Sequence, residues 1–358
     1  QFDDARLLVH LARTAVEQGA VVLNHARVTG LRETNGFVTG VEAVDAESGE
    51  TIETTARCVV NATGPFADAV RQLEDPSVAP LIQPSQGVHV VLDRAFLPGD
   101  AAIMVPRTED KRVLFAIPWH DRVLIGTTDT MIDQAVLEPR PQEDEIEFLL
   151  RTAAQYLTRD PTREDVLSVF VGIRPLVRAA EGTETAELSR DHTIHVSRGG
   201  LLTIVGGKWT TYRRMAKDVV DHVTTLADLD PRACPTEDLR IHGYREDVGG
   251  LGHLAVHGRD ADAILALAAS EPALGAKLHP DLPYLAAEVV WAAREEMARR
   301  VEDVLSRRTR ALLLSARAAV EAAPAVARLL ARELGRDATW VETETTAFRT
   351  LAAPYLLT

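Results

Sequence analysis

Apolar positions fall into three rhythms along the chain. Near the N-terminus, Leu7, Leu8, Leu11, Ala15 and Val16 keep helical spacing up to Gly19, with Asp3 or Asp4 placed to cap the helix. Alternating or continuous apolar runs at residues 20–28, 37–45 and 54–62 then predict strands. The last contains Cys58-Val59-Val60, a buried-strand pattern, and runs into Asn61-Ala62-Thr63-Gly64-Pro65 before a helical stretch at 66–73. Short alternating strands dominate next, at 88–92, 102–105, 113–117 and 123–126, followed by a helix at 143–157 and strands near 166–171 and 193–196. Leu201-Leu202-Thr203-Ile204-Val205 feeds Gly206-Gly207 and a helical pattern from 215 to 226. After Asp228-Leu229-Asp230-Pro231 the rhythm is helical, at 261–267, 284–304, 309–322 and 325–334, with Pro324 separating the last two.

This order predicts an α/β and α+β chain. Residues 1–77 and 198–229 read as a nucleotide-binding layer, 78–197 as an antiparallel sheet domain inserted into it, and 230–358 as an all-helical domain. A sheet inserted in this way is a common wall over a cofactor, and it puts the substrate at the seam.

The strand-Gly-Gly-helix junction at 201–213 is the strongest sign of chemistry. A helix start leaves backbone N–H groups free, and an anion or electron-rich ring edge suits them. Lys208, Thr210 and Thr211 follow directly and are aimed at the same opening. Arg174, in Gly172-Ile173-Arg174-Pro175-Leu176, and Arg190, in Ser189-Arg190-Asp191-His192, sit at strand ends where their forks could grip a phosphate. His89 lies in an apolar strand, as a core histidine or as a base for an alcohol.

Composition narrows the class. With 39 basic against 53 acidic residues in 358, the net charge of −14 argues against a general nucleic-acid binder while allowing a local basic pocket. Cys58 and Cys234 have no CxxC partner, so a reducing compartment is the default. The start, Gln1-Phe2-Asp3-Asp4, has neither an initiator Met nor a signal pattern and reads as a cut end. Gly250-Leu251-Gly252-His253-Leu254-Ala255 matches a dinucleotide pattern but follows no buried strand, so it reads as a loop opening a helix. His253 and His257 are four apart but lack a third ligand, and no metal site is read there.

These motifs, with Asp3-Asp4-Ala5-Arg6-Leu7, Ile117-Pro118-Trp119 and Gly126-Thr127-Thr128-Asp129, occur in the order and spacing of the FAD-dependent glycerol-3-phosphate dehydrogenases, which the chain resembles over nearly its whole length. The tail, with Glu288 and residues 302–310, is similar to that family's helical C-terminal domain. The strand and G-x-G-x-x-G turn that open the family's sequence do not occur here, and Gln86 stands where a lysine is frequent. The resemblance implies a DAO-type, glutathione-reductase-like FAD layer and oxidation of sn-glycerol 3-phosphate to dihydroxyacetone phosphate, with electrons passing to a quinone. It implies that Arg174 and Arg190 clamp the phosphate, that His89 is the base, and that Lys208 sits near flavin and substrate. Gly207, Thr210 and Thr211 would meet the flavin edge, while Thr63, Gly64 and the backbone at Val28 would line the adenine and pyrophosphate side. Alternatives are a sister oxidase using oxygen and a piece that holds FAD weakly or not at all because that turn is missing. A cytoplasmic enzyme, peripheral on the inner face of the cell membrane, and a homodimer complete the implied picture. Arg294, Arg299, Arg300, Arg307, Arg308, Arg310 and Arg317 could meet anionic lipid, but neighbouring acids at helical spacing favour ion pairs.

Overall fold

The computed structural model describes residues 2–108, 112–178 and 192–357. Helix α1 (Asp4–Glu17) begins where the Asp3 carboxylate accepts the Arg6 N–H at 2.9 Å, satisfying one free amide of the first turn. The run expected as a strand at 20–28 is irregular until β1 (Ala26–Thr34). Val21 and Leu23 stand 89% and 61% exposed. Without a neighbouring strand among the described residues, apolar pattern alone does not make them a strand. β1, β2 (Phe37–Asp45) and β3 (Thr51–Thr55) form an antiparallel meander. The expected strand at 54–62 divides between two sheets, because its first residues end β3 and β4 (Val60–Asn61) pairs elsewhere. A 3-10 turn at Gly64–Phe66 then leads into α2 (Ala67–Glu74).

β5 (Ile82–Asp93), β6 (Ile103–Val105), β7 (Leu114–Trp119), β8 (Arg122–Gly126), β9 (Thr130–Met131) and β10 (Ser168–Val177) build the inserted sheet. Its order is β10-β5-β8-β7-β6, with β9 also on β5. β5 and β10 extend beyond the strands expected at 88–92 and 166–171, and each contains a proline. Pro84 and Pro175 face each other. The Arg178 N–H donates to the Leu81 carbonyl, and alternation along the ladder from there puts the two prolines at a non-hydrogen-bonded pair, where no ladder N–H is lost. α3 (Glu143–Ala153) covers one face of this sheet, with Ile146 and Leu149 in one core with Val88, Val90, Ile125 and Val169.

β11 (His192–Val196), β12 (Leu202–Gly206) and β4 form the second layer in the order β11-β12-β4, with β12 and β4 parallel. α4 (Tyr212–Leu226) packs on it through Met215, Val219 and Val223 against Leu202 and Ile204. The helical part holds α5 (Ala261–Ser270), α6 (Ala286–Glu295), α7 (Ala311–Leu314), α8 (Ala316–Leu334) and α9 (Ala338–Ala352). The helix expected at 284–304 stops at Glu295, and a π-helical turn follows at Asp303–Arg308. α8 runs through Pro324 instead of breaking there. The lost hydrogen bond and ring clash cost about 3 kcal/mol. Burial of Ala318, Ala319, Ala322, Ala323, Val326 and Ala327 against the helical core offsets that cost. Several C-terminal arginines are ion-paired: Arg294 with Glu333 at 2.7 Å, Arg299 with Glu47 at 2.7 Å, Arg307 with Glu302 at 3.3 Å and Arg310 with Asp4 at 2.7 Å.

Candidate active site

Two glycine turns leave the same edge of the second layer. β4 and β12 lie side by side and parallel, with Leu202 opposite Val60 and Thr203 opposite Asn61, so both run out in the same direction. Ligands collect at that edge of α/β layers. Asn61 is buried and holds the first turn in place. Its Oδ1 accepts the Thr63 hydroxyl at 2.7 Å and the Thr63 N–H at 3.3 Å, while its Nδ2 donates to the Ala67 carbonyl at 2.9 Å and to Thr203 Oγ1 at 3.3 Å. Gly64 then turns with φ +57°, and no heavy atom of the described residues lies within 4 Å of where its Cβ would sit. On the second turn Gly206 and Gly207 have φ +75° and +78°, and a Cβ on Gly207 would lie 2.4 Å from the Met215 sulfur. The turn is closed by Thr211, whose hydroxyl donates to the Lys208 carbonyl at 3.0 Å and accepts its N–H at 3.3 Å. Lys208 and Thr210 are exposed.

The face of the inserted sheet opposite α3, which meets the helical part at Phe170 and Ser168, carries the other chemistry. Cross-strand pairs place Phe170 opposite His89, Gly172 opposite Gly87 and Arg174 opposite Ser85, so all six share that face. His89 stacks on Phe170 at 5.0 Å between ring centroids. It presses on Gly126, where a Cβ would come 2.1 Å from its ring. Among the described residues its buried Nδ1 has no hydrogen-bond partner. Burial, with the Arg174 charge added, pushes its pKa down to about 4, so the ring is neutral at physiological pH.

Between His89 and Arg174 the floor is glycine. A Cβ at Gly87 would sit 2.5 Å from Arg174 Nη2 and 2.5 Å from Thr127 Oγ1, whereas among the described residues nothing lies within 4 Å of where a Gly172 Cβ would sit. The guanidinium is held against the 127–129 segment. Nη2 donates to Thr127 Oγ1 and the Thr128 carbonyl, both at 3.1 Å, and Nη1 makes longer contacts with the Gln86 carbonyl at 3.3 Å and Asp129 Oδ1 at 3.5 Å. Nη1 is therefore the nitrogen more readily given up to an incoming anion. Ser85 hydrogen-bonds Asp129, and buried Glu145 accepts from Thr128 and Thr130 at 2.8 and 2.7 Å and from Gln86 at 2.7 Å. The neutral Gln86 amide serves Glu145 where a lysine would make an ion pair.

The two halves of the site adjoin, because β10 lies against both β12 and the 3-10 turn after Gly64. Val28 stands apart from them, on the meander opposite Ala43 and 40% exposed. Arg190 lies outside the described residues. Gly87, Phe170, Gly172, Asp129 and Asn61 were not picked out as site residues by sequence reasoning. A cavity of about 1100 Å³ between α1 and α4, lined by Leu11, Ala15, Tyr212, Ala216 and Val220 among others, includes none of the expected site residues that are described. His253 and His257 both hydrogen-bond Glu288, at 3.0 and 3.2 Å.

Parallel strands ending in glycine turns beside an antiparallel wall are the architecture of a flavoenzyme layer, and the comparisons agree. Residues 1–213 match the family "FAD dependent oxidoreductase", and the chain belongs to that family. Residues 201–341 match "C-terminal domain of alpha-glycerophosphate oxidase". The fold is thus the DAO-type FAD-binding fold with a helical C-terminal domain.

More particularly, the chain is similar to glycerol-3-phosphate dehydrogenases. It is 38% identical over 360 residues to the probable mitochondrial glycerol-3-phosphate dehydrogenase of Caenorhabditis elegans, covering 94% of this chain and 50% of that protein. The mitochondrial enzyme of Mus musculus is 36% identical over 362 residues, covering 93% and 50%. The chain spans about half the length of these curated relatives. Among solved structures, the glycerol-3-phosphate dehydrogenase of Bacillus halodurans, complexed with FAD, matches with a TM-score of 0.85 at 28% identity, covering 99% of this chain and 74% of that one.

Proposed function

We propose that this chain carries the substrate wall, flavin-edge turn and helical domain of an FAD-dependent dehydrogenase that oxidises sn-glycerol 3-phosphate to dihydroxyacetone phosphate. The observation that carries this reading is the arrangement of Arg174 and His89 on one sheet face across a glycine floor. Arg174 supplies the fixed cationic fork a phosphate needs. Neutral His89 accepts the C2 hydroxyl proton. Phe170 and Gly126 fix the ring plane of His89, while the space over Gly172, free of atoms of the described residues, leaves room for a three-carbon body. Arg190 is the second arginine of the clamp in this reading, and Lys208, from the neighbouring turn, adds positive charge at the same opening.

FAD fits the residues present in part. Among the described residues nothing blocks close approach to the Gly64 backbone, and Gly206 and Gly207 give a turn that a flat ring edge can reach. Thr63, Gly64, Gly207, Lys208, Thr210 and Thr211 are the residues that would hold it, with Val28 toward the adenine. When bound, FAD supplies the acceptor for the hydride from C2. Quinone as the next acceptor and attachment to the inner face of a membrane belong to this reading. Peroxide output against dye-linked turnover separates it from oxygen use.

Two outcomes are expected. The 358 residues alone, titrated with FAD and passed through gel filtration, should lose flavin absorbance between 350 and 500 nm, because no strand-G-x-G-x-x-G turn is present in them to cradle the pyrophosphate. A yellow protein that bleaches anaerobically with glycerol 3-phosphate would overturn that expectation while upholding the assigned reaction. Gly87→Ala in the full-length enzyme should raise KM for glycerol 3-phosphate about tenfold, since the new methyl pushes the Arg174 guanidinium and Thr127 Oγ1 out of their places; the melting temperature is measured alongside. An unchanged KM would separate Arg174 from phosphate binding.

A further inference from the structure

A second cavity, of about 510 Å³, lies where the tip of the β7–β8 hairpin meets the helical part. Its lining shares no residue with the candidate active site. Apolar Val256, Leu282 and Leu314 supply part of the wall. The polar lining is mostly cationic or hydrogen-bond-donating: Arg122, Lys277, His120, His253 and the phenol of Tyr284.

Several features mark it as built to receive something. Tyr284 is only 5% exposed, yet among the described residues no hydrogen bond engages its hydroxyl. Burial keeps that phenol protonated far above physiological pH, so it can only donate or accept as a neutral hydroxyl. Arg122 donates from Nη1 to the Asp121 carbonyl at 2.9 Å and from Nη2 to the Asp281 carbonyl at 3.4 Å, which leaves further N–H donors of its fork uncommitted. Lys277 is exposed and has no ion pair among the described residues. The side chains of Asp121 and Asp281, the two carboxylates of the lining, are 87% and 76% exposed; Asp121 lies 4.0 Å from Arg122 Nη1 and Asp281 lies 4.0 Å from His279 Nδ1. His120 is held by Asp3 at 3.3 Å and His253 by Glu288 at 3.0 Å. His120 and Asp121 both take left-handed backbone, with φ of +45° and +59°, at the hairpin tip. They are the two central residues of the tight turn between the paired Trp119 and Arg122, the backbone conformation that two-residue hairpins favour.

We propose that this cavity binds a small organic anion, an oxyanion head group on a short apolar body, gripped by Lys277, Arg122 and the Tyr284 hydroxyl. The head group sits over the cationic side of the cavity and the body against Val256, Leu282 and Leu314. Phosphate monoesters and carboxylates share this chemistry, and the probes separate them.

The test uses the full-length protein with phenyl phosphate and benzoate as probes, followed by calorimetry or ligand-observed NMR. Saturable binding of at least one probe below about 10 mM is expected. Lys277→Glu and Tyr284→Phe should each weaken it about tenfold or more, the loss of one charged or buried hydrogen bond. Neither change removes core packing, and melting curves check that the fold survives. Arg174→Ala should leave intact the share of binding that Lys277→Glu and Tyr284→Phe weaken. Failure of both probes to saturate, wild-type affinity in Lys277→Glu and Tyr284→Phe, or loss of that share in Arg174→Ala would each overturn the proposal. The last result would assign the anion to the sheet face instead.

Discussion

Replacing Arg174 by alanine in the full-length enzyme is expected to lower kcat/KM for glycerol 3-phosphate by about 10²- to 10³-fold, chiefly through KM. Truncating one member of a hydrogen-bonded charge pair away from water costs about 2–5 kcal/mol, and each 1.4 kcal/mol is a factor of ten. The effect is this large because Arg174 is preorganised. Gly87 leaves room for it, Thr127 and Thr128 hold one nitrogen, and the contacts of the other are long enough to exchange for a phosphate oxygen. Arg174→Lys tests the fork itself. A point charge cannot span the same acceptors, so it should recover less than a tenth of the lost efficiency. Asp129 also loses its cation in the alanine variant, so melting temperature is measured alongside the kinetics. An Arg174→Ala enzyme within about threefold of wild type would remove the phosphate clamp from the assigned function.

Much of this site was legible because it depends on local sequence. The apolar run before Gly206-Gly207 and the polar residues after it specify a strand, a left-handed turn and a helix, and that is what the chain forms. Capping by Asp3 is local in the same sense. The glycine floor was not legible. Gly87 and Gly172 matter only because β5 and β10 pair in a register that sets them beside His89 and Arg174, and register is a long-range property. The tolerance of Pro84 and Pro175 inside their strands is likewise a matter of register, since they stand opposite each other. The split of 54–62 between two sheets depends on the pairing of Val60 with Leu202, far away in sequence. Helix α9 escaped notice because its threonines are poor helix formers, and packing of Phe348 and Ala352 into the helical core decides the matter instead. The grouping of His89 with Arg174 came from resemblance, and cross-strand register supplies its physical basis.

Glu296→Ala is expected to destabilise the fold by about 3–5 kcal/mol, because it leaves a buried guanidinium without its counter-ion. Glu296 is buried beside Arg6 of α1, which it pairs with directly, and lies 3.7 Å from the Nδ1 of His257. Arg6 in turn donates to the Arg308 carbonyl at 2.9 Å, so this buried pair helps tie α1 to the helical part. The attraction of Arg6 and His257 outweighs desolvation and holds Glu296 well below the usual carboxylate range. Hydrogen bonds from His253 and His257 likewise bring Glu288 down to about 2 against its desolvation. A depressed carboxylate stabilises the fold above its unfolded value of 4.5, and for Glu288 that stability is lost as pH falls toward about 2. His257 is raised, so its contribution is full below 6.5 and fades as pH rises through its folded value. His10, packed beside Arg6, runs the other way. Burial pushes it down to about 4, so protonating it between 6.5 and 4 favours unfolding. Thermal melts of Glu296→Ala at neutral pH should therefore fall by roughly 5–10 °C. The paired replacement of Arg6 and Glu296 by leucine should lose much less, because no charge is left stranded. Equal losses in the single and paired variants would mean that packing around these side chains, and not their charge pairing, holds α1 to the helical domain.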